Sequence, residues 1–139
     1  MPHLERRFRL PIASVIDADV MTAPPDTSIS EFYQHHLLLN RRSEVPVVDG
    51  TRYLGMASLY ELQRVPEEEW ATRPLAEVTD RSWPTTAPDT TIEDAVRKME
   101  AAEVDLLAVL DGPTFIGVVT TAAIVGLDQI LGQTEPPPA

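Results

Sequence analysis

Ser58 follows Gly55 by three residues and Thr120 follows Gly117 by three, each where an apolar, strand-like run gives way to a helix start. A hydroxyl at such a junction sits beside unpaired amides and the positive end of a helix dipole, an arrangement that can hold phosphate. The same hydroxyls, or that of Thr121, serve equally as N-caps, each satisfying an orphan amide of its own helix. Arg41 and Arg42 form an adjacent guanidinium pair that could meet a phosphate or remain solvated. His35 and His36 are neighbours in sequence, so on a helix they diverge by about 100° and cannot share a metal as residues four apart can. No metal site is expected, and His36 reads as a hydrogen-bonded structural histidine on a core face.

Catalysis has little to stand on. The chain has no Gly-x-Ser-x-Gly elbow, Walker loop or His-Glu-x-x-His pair, and no cysteine, so the common activated nucleophiles and metal sets are not encoded locally. A non-enzyme is expected. Eleven Lys and Arg against 22 Asp and Glu leave a net charge of −11, which repels nucleic acid and anionic lipid over most of a surface. The absence of cysteine fits a reducing, cytoplasmic compartment. Apolar stretches are broken by charge or Pro well short of the roughly 20 residues a membrane span requires, so direct membrane insertion is not expected.

The elements that would position these residues occur twice. Residues 11–29, PIASVIDADVMTAPPDTSI, align without a gap on residues 74–92, PLAEVTDRSWPTTAPDTTI, with Asp26 over Asp89. After one deleted position, VPVVDGTRYLGMAS from Val45 lies over LAVLDGPTFIGVVT from Leu107, matching Asp49-Gly50 to Asp111-Gly112 and Gly55 to Gly117. Each copy reads as helix stub, short strand, helix, strand, turn, strand, helix. Ser28 with Glu31, and Thr91 with Asp94, stand at capping-box spacing and predict two helix starts. Behind them Ile29, Phe32, Tyr33 and His36, then Ile92, Ala95, Val96 and Met99, fall on one helical face. Apolar runs on either side of Asp49-Gly50 and Asp111-Gly112 predict two hairpins, with the turn type open. Met21, Met56 and Met99 read as core filler.

The boundaries that follow are an N-terminal connector over 1–10, repeat one over 11–65, a linker over 66–73, repeat two over 74–131 and a disordered, proline-rich tail over 132–139. The ordered set resembles the CBS domain, named after cystathionine β-synthase: Pro-Asp-Thr-Ser/Thr-Ile, an amphipathic helix, an apolar strand ending in Asp-Gly, and Gly-x-x-Ser/Thr before a last helix. The resemblance runs over about residues 11–131. It implies an α/β (α+β) fold in which two pseudo-twofold related repeats each pack a small sheet of about three strands on two helices. It also implies a regulatory Bateman module, commonly a homodimer, whose clefts often hold AMP, ADP, ATP or S-adenosylmethionine. More narrowly, FRLPIASVIDADVMTAPPDTSISEF, HHLLLNRRSEVPVVDG and RYLGM resemble the cytoplasmic tail of prokaryotic chloride-channel family proteins, with tails of intramembrane metalloproteases a rival; an attached membrane transporter is the implied partner.

The resemblance also suggests roles for particular residues. Glu61, three residues after Ser58, stands where the family often places an Asp that accepts both ribose hydroxyls; the alternative is a solvated first-turn acid favoured by the dipole. Thr22 and Thr85 stand where the family turns backbone and hydroxyl groups toward base or ribose, though strand threonines are common on any half-exposed sheet. Ala123 departs from the pattern at the place matching Glu61 and offers no acceptor. At most one good nucleotide site, or none, is therefore expected, with Thr22, Ser58, Glu61, Thr85, Thr120, Thr121, Arg41 and Arg42 as its candidate residues. A structural dimerisation domain with vestigial clefts is the alternative.

Overall fold

The computed structural model describes residues 9–38 and 43–134, with side chains as far as Leu127. Most of the N-terminal connector, the Arg41 and Arg42 pair and the proline-rich end at 135–139 lie outside the described residues.

The opening proline of each repeat leads into a short 3-10 turn, Ile12–Val15 and Leu75–Val78. Ser28 then caps α1 (Ile29–Phe32), its hydroxyl accepting from Glu31 N at 3.1 Å. The helix continues as a single π turn, Tyr33–Leu37, with Leu38 N donating to Tyr33 O at 3.1 Å. Strands β1 (Glu44–Asp49) and β2 (Arg52–Ser58) form an antiparallel hairpin, and α2 (Leu59–Leu62) follows at once. A 3-10 turn at Glu67–Glu69 occupies the expected linker. In the second half come β3 (Thr85–Thr86), α3 (Ile92–Ala102), β4 (Leu106–Asp111), β5 (Thr114–Thr120) and α4 (Thr121–Thr134). Thr91 caps α3 by accepting from Asp94 N at 3.2 Å. The mixed α/β class expected from the repeat is what the chain adopts.

Both hairpins turn through two residues, Gly50-Thr51 and Gly112-Pro113. The glycines take φ +66° and +60°. Positive φ at the first central position alone is the pattern of a II′ turn, whose twist suits paired strands and which glycine enters without steric cost.

The chain divides into two compact units, and these are not its two sequence halves. The β1–β2 unit comprises Asp19–Trp83 with Pro113–Phe115; the β3–β4 unit comprises residues up to Ala18, Pro84–Gly112 and the chain from Ile116 onward. The turn that opens repeat two therefore packs in the core of repeat one. Leu75 and Val78 are buried with Ile29, Phe32, Val45, Val47 and Leu62, and Leu75 N donates to Thr27 O at 2.8 Å. Reciprocally, Ile12 is buried with Ile92, Met99, Leu107, Val109 and Val119, and its N–H donates to Thr90 O at 2.8 Å.

Gly55 and Gly117 have their explanation in this exchange. They lie inside β2 and β5, three residues before each strand ends at Ser58 and Thr120. Asp80 makes a two-bond antiparallel bridge to Met56, at 2.8 and 3.0 Å, and Asp17 bridges Val118 at 2.8 and 3.1 Å. A Cβ on Gly55 would stand 2.5 Å from Asp80 O, and one on Gly117 2.6 Å from Asp17 O. Glycine is needed because a second backbone passes there.

Two other expectations change. Met21 is 43% exposed, not core filler, whereas Met56 and Met99 are buried. His36 stacks on Phe32 with ring centroids 5.3 Å apart, but its Nδ1 is buried without a hydrogen-bond partner, so the satisfied histidine expected is not found. Burial, reinforced by His35 and opposed by Glu31, holds its pKa below the usual 6.5. The Tyr53 hydroxyl is likewise buried and unpartnered, its pKa raised by burial and by Asp80, with its ring stacked on Phe115.

Candidate functional site

In the β1–β2 unit the site begins where β2 ends. Ser58 is extended, at φ −146° and ψ 164°, and starts α2 by accepting from Glu61 N at 3.4 Å. The capping role is thus real, yet it uses only a lone pair; the hydroxyl proton remains free to donate. Helix geometry leaves the first amides of α2 without ladder partners.

Ser58 and Glu61 are brought together by this turn. The Glu61 side chain is only 13% exposed, and its Oε2 accepts from Nη1 of the exposed Arg64 at 2.9 Å. That hydrogen bond raises the Arg64 pKa above its ordinary value, so the cation is permanent. The second carboxylate oxygen, Oε1, has no partner among the described residues and is left to accept. Arg64 was not singled out from the sequence, although its spacing of three from Glu61 is the ordinary signal of a helical ion pair.

Thr22 belongs to the same unit and is exposed. It precedes Ala23, which runs parallel to β1, donating to Pro46 O at 3.0 Å and accepting from Val48 N at 2.9 Å. Because Pro46 pairs with Met56 on β2, Thr22 stands two strand spacings, about 10 Å, across the sheet from β2.

The β3–β4 unit repeats the scaffold and lacks the acid. Thr85 pairs with Ala108 across parallel strands, and its carbonyl accepts from Lys98 Nζ at 3.1 Å. Thr120 caps α4 by accepting from Ala123 N at 3.0 Å. Thr121 is exposed, its N–H donating to Asp105 O at 3.0 Å. The methyl of Ala123 provides no hydrogen-bonding group. Arg41 and Arg42 lie outside the described residues, so the structure assigns them no position.

The β1–β2 unit can therefore present a hydroxyl donor, a shielded carboxylate with one oxygen open and a permanent cation, the groups that a phosphorylated diol would meet. No group of three or more His, Asp or Glu side chains among the described residues could hold a metal ion. No helix among them is long and apolar enough to cross a membrane.

Comparison with known proteins agrees with the repeat. The family model described as CBS domain matches twice, over residues 12–68 and 75–128. No curated protein matches the chain in sequence. Among solved structures, CBSX2 in complex with AMP superimposes with a TM-score of 0.77 at 19% identity, covering 88% of this chain and 98% of that one. CbpB in complex with c-di-AMP gives 0.82 at 18% identity, covering 95% and 93%. The CBS domain of a bacterial CNNM/CorC family Mg2+ transporter in complex with ATP gives 0.73 at 17% identity, covering 89% and 90%.

Proposed function

The chain belongs to the CBS-domain family, as a tandem pair, and from that premise we propose that it is a non-catalytic regulatory module whose β1–β2 unit takes one adenine nucleotide. The observation that carries this reading is the Glu61 carboxylate, shielded to 13% exposure and paired through Oε2 with Arg64, on the turn whose Glu61 backbone N–H donates to the Ser58 hydroxyl. Oε1 accepts from the ribose hydroxyls. Ser58 and Arg64 donate to phosphate, and Thr22 flanks the base or ribose. The β3–β4 unit, with Ala123 in place of the acid, holds nucleotide weakly or not at all; Thr85, Thr120 and Thr121 serve its fold first. Solved relatives in fold carry AMP, c-di-AMP and ATP, which supports an adenine ligand.

Binding regulates only where the ligand has different affinities for two states of what it controls. The transporter whose CBS domain shares this fold supports a membrane transport protein, attached or separate, as the controlled partner, and with it a cytoplasmic location; a chloride-channel protein is the version the sequence motifs favour.

Calorimetric titration of the purified chain with AMP, ADP, ATP and S-adenosylmethionine tests the proposal. One site per chain is expected, lost in Glu61→Ala and retained in Thr121→Ala. Silence from all four at millimolar concentration, or binding that survives Glu61→Ala, refutes it.

A second reading has its own support. On α2 of the β1–β2 unit Tyr60 is 76% exposed and Leu59 43% exposed, apolar area that suits a homodimer contact. A purely structural dimerisation domain would show a dimer in light scattering and no response to any nucleotide.

A further inference from the structure

The β1–β2 unit carries a groove of about 400 Å³ lined by Tyr33, Leu59, Gln63, Val65, Glu67 and Trp70, with Pro66 at its edge. It is distinct from the Ser58–Glu61 pair. Leu59 of α2 and Gln63, its C-cap residue four positions on, line the groove, while Glu61 lies some 200° around the turn from Leu59.

The aromatic walls are set in place. Trp70 Nε1 donates to Val65 O at 2.8 Å, which fixes the plane of the indole. Tyr33 opens the π turn, and its ring meets Trp70 at 5.4 Å between centroids and 56° between planes. Both rings pack one side against the buried core and are half-exposed on the other.

Charge decides what such a groove accepts. Glu67 is the single charged residue of the lining, it is exposed, and no ion pair holds its carboxylate among the described residues. A nucleotide phosphate is repelled there, and the net charge of −11 adds to that repulsion. A small hard cation would keep its water beside an exposed acid. A weakly hydrated organic cation loses little on leaving water, and it gains both from the exposed part of the aromatic wall and from the carboxylate.

We propose that this groove is a binding site for a quaternary ammonium group, seated against the aromatic wall that Tyr33 and Trp70 form together, with Glu67 as its counter-ion. The site gives the β1–β2 unit an input of opposite charge to a nucleotide, at residues the nucleotide does not need.

The chain has two tryptophans, Trp70 and Trp83, so indole N–H resonances in a 1H–15N spectrum provide one reporter at the site and one control. Choline chloride is titrated at constant ionic strength against 3,3-dimethylbutan-1-ol, its uncharged isostere. The Trp70 signal is expected to shift saturably with a millimolar Kd for choline while that of Trp83 stays still, and the isostere should bind at least about fivefold more weakly. Glu67→Gln, a change at an exposed side chain, should weaken choline by about twofold to fivefold. Tyr33→Leu should remove the saturable shift, and Glu61→Ala should leave it unchanged. Equal binding of the isostere, undiminished binding by Glu67→Gln, or no saturable shift in the unsubstituted protein overturns the proposal.

Discussion

Adding one methyl group at Gly55 tests how closely the 79–80 segment packs on β2 within its own unit. In Gly55→Ala the new Cβ would stand 2.5 Å from Asp80 O and 2.6 Å from Thr79 Cγ2. The first of these is backbone and cannot rotate away, so the 79–80 segment must retreat from β2. That retreat breaks the two Met56–Asp80 hydrogen bonds, each worth about 1 kcal/mol net, and overpacking adds about 1–3 kcal/mol. The cost is about 3–5 kcal/mol, a large share of a typical stability of about 5–15 kcal/mol. At about 4 °C per kcal/mol for a chain of this length, Tm should fall by about 12–20 °C. Gly117→Ala should cost more, since its Cβ would stand 2.6 Å from Asp17 O and its φ of +152° disfavours any side chain, adding about 1–3 kcal/mol. Gly126→Ala is the control: its Cβ meets nothing within 4 Å, and helix propensity alone should stabilise α4 by about 0.5–1 kcal/mol. Urea and thermal unfolding of the three variants give the order directly. A Gly55→Ala protein melting within about 2 °C of the parent would refute the close-approach argument.

Two further measurements bear on individual residues. His36 has a lowered folded pKa, so between that value and 6.5 the unfolded chain binds more protons; its contribution is complete above about pH 6.5 and is lost as pH falls through the folded pKa. His36→Met, which installs the residue found at the matching Met99, should therefore flatten the stability profile between about pH 7.5 and 5.5 and raise stability most at its acid end, read by denaturant midpoints; an unchanged slope would refute it. Glu103 ends α3 in the left-handed conformation at φ 56° and ψ 44°, so Glu103→Gly should stabilise the chain by about 0.5–1 kcal/mol in the same assay, and a loss of stability would count against this account.

Much of the local structure was legible because it is set by nearest neighbours. Ser28 and Thr91 cap the helices that their spacing predicted, and Asp49-Gly50 and Asp111-Gly112 turn the two hairpins, because a hydroxyl three residues from an amide and a glycine at positive φ are local facts. The burial of Ile29, Phe32, Ile92, Ala95 and Met99 followed from helical period in the same way. His36 shows where period stops: a helical wheel places the ring on the inner face, but only the surroundings reveal that no group meets Nδ1.

The linear pattern revealed two copies of one unit, most elements of each, and a carboxylate at position 61 against a methyl at its counterpart, 123; the short strand expected in both forms at Thr85–Thr86 in the second and is an isolated bridge at Ala23 in the first. Long-range packing set the rest: Ile12 lies with Ile92 and Leu75 with Ile29, Gly55 and Gly117 admit a crossing backbone, and Tyr33 and Trp70 wall a groove. The physical reason is range. Capping and turn formation are settled within a few residues, whereas two equivalent apolar turns have equivalent cores available to them, and the choice between those cores depends on contacts some sixty residues apart, which no local pattern encodes.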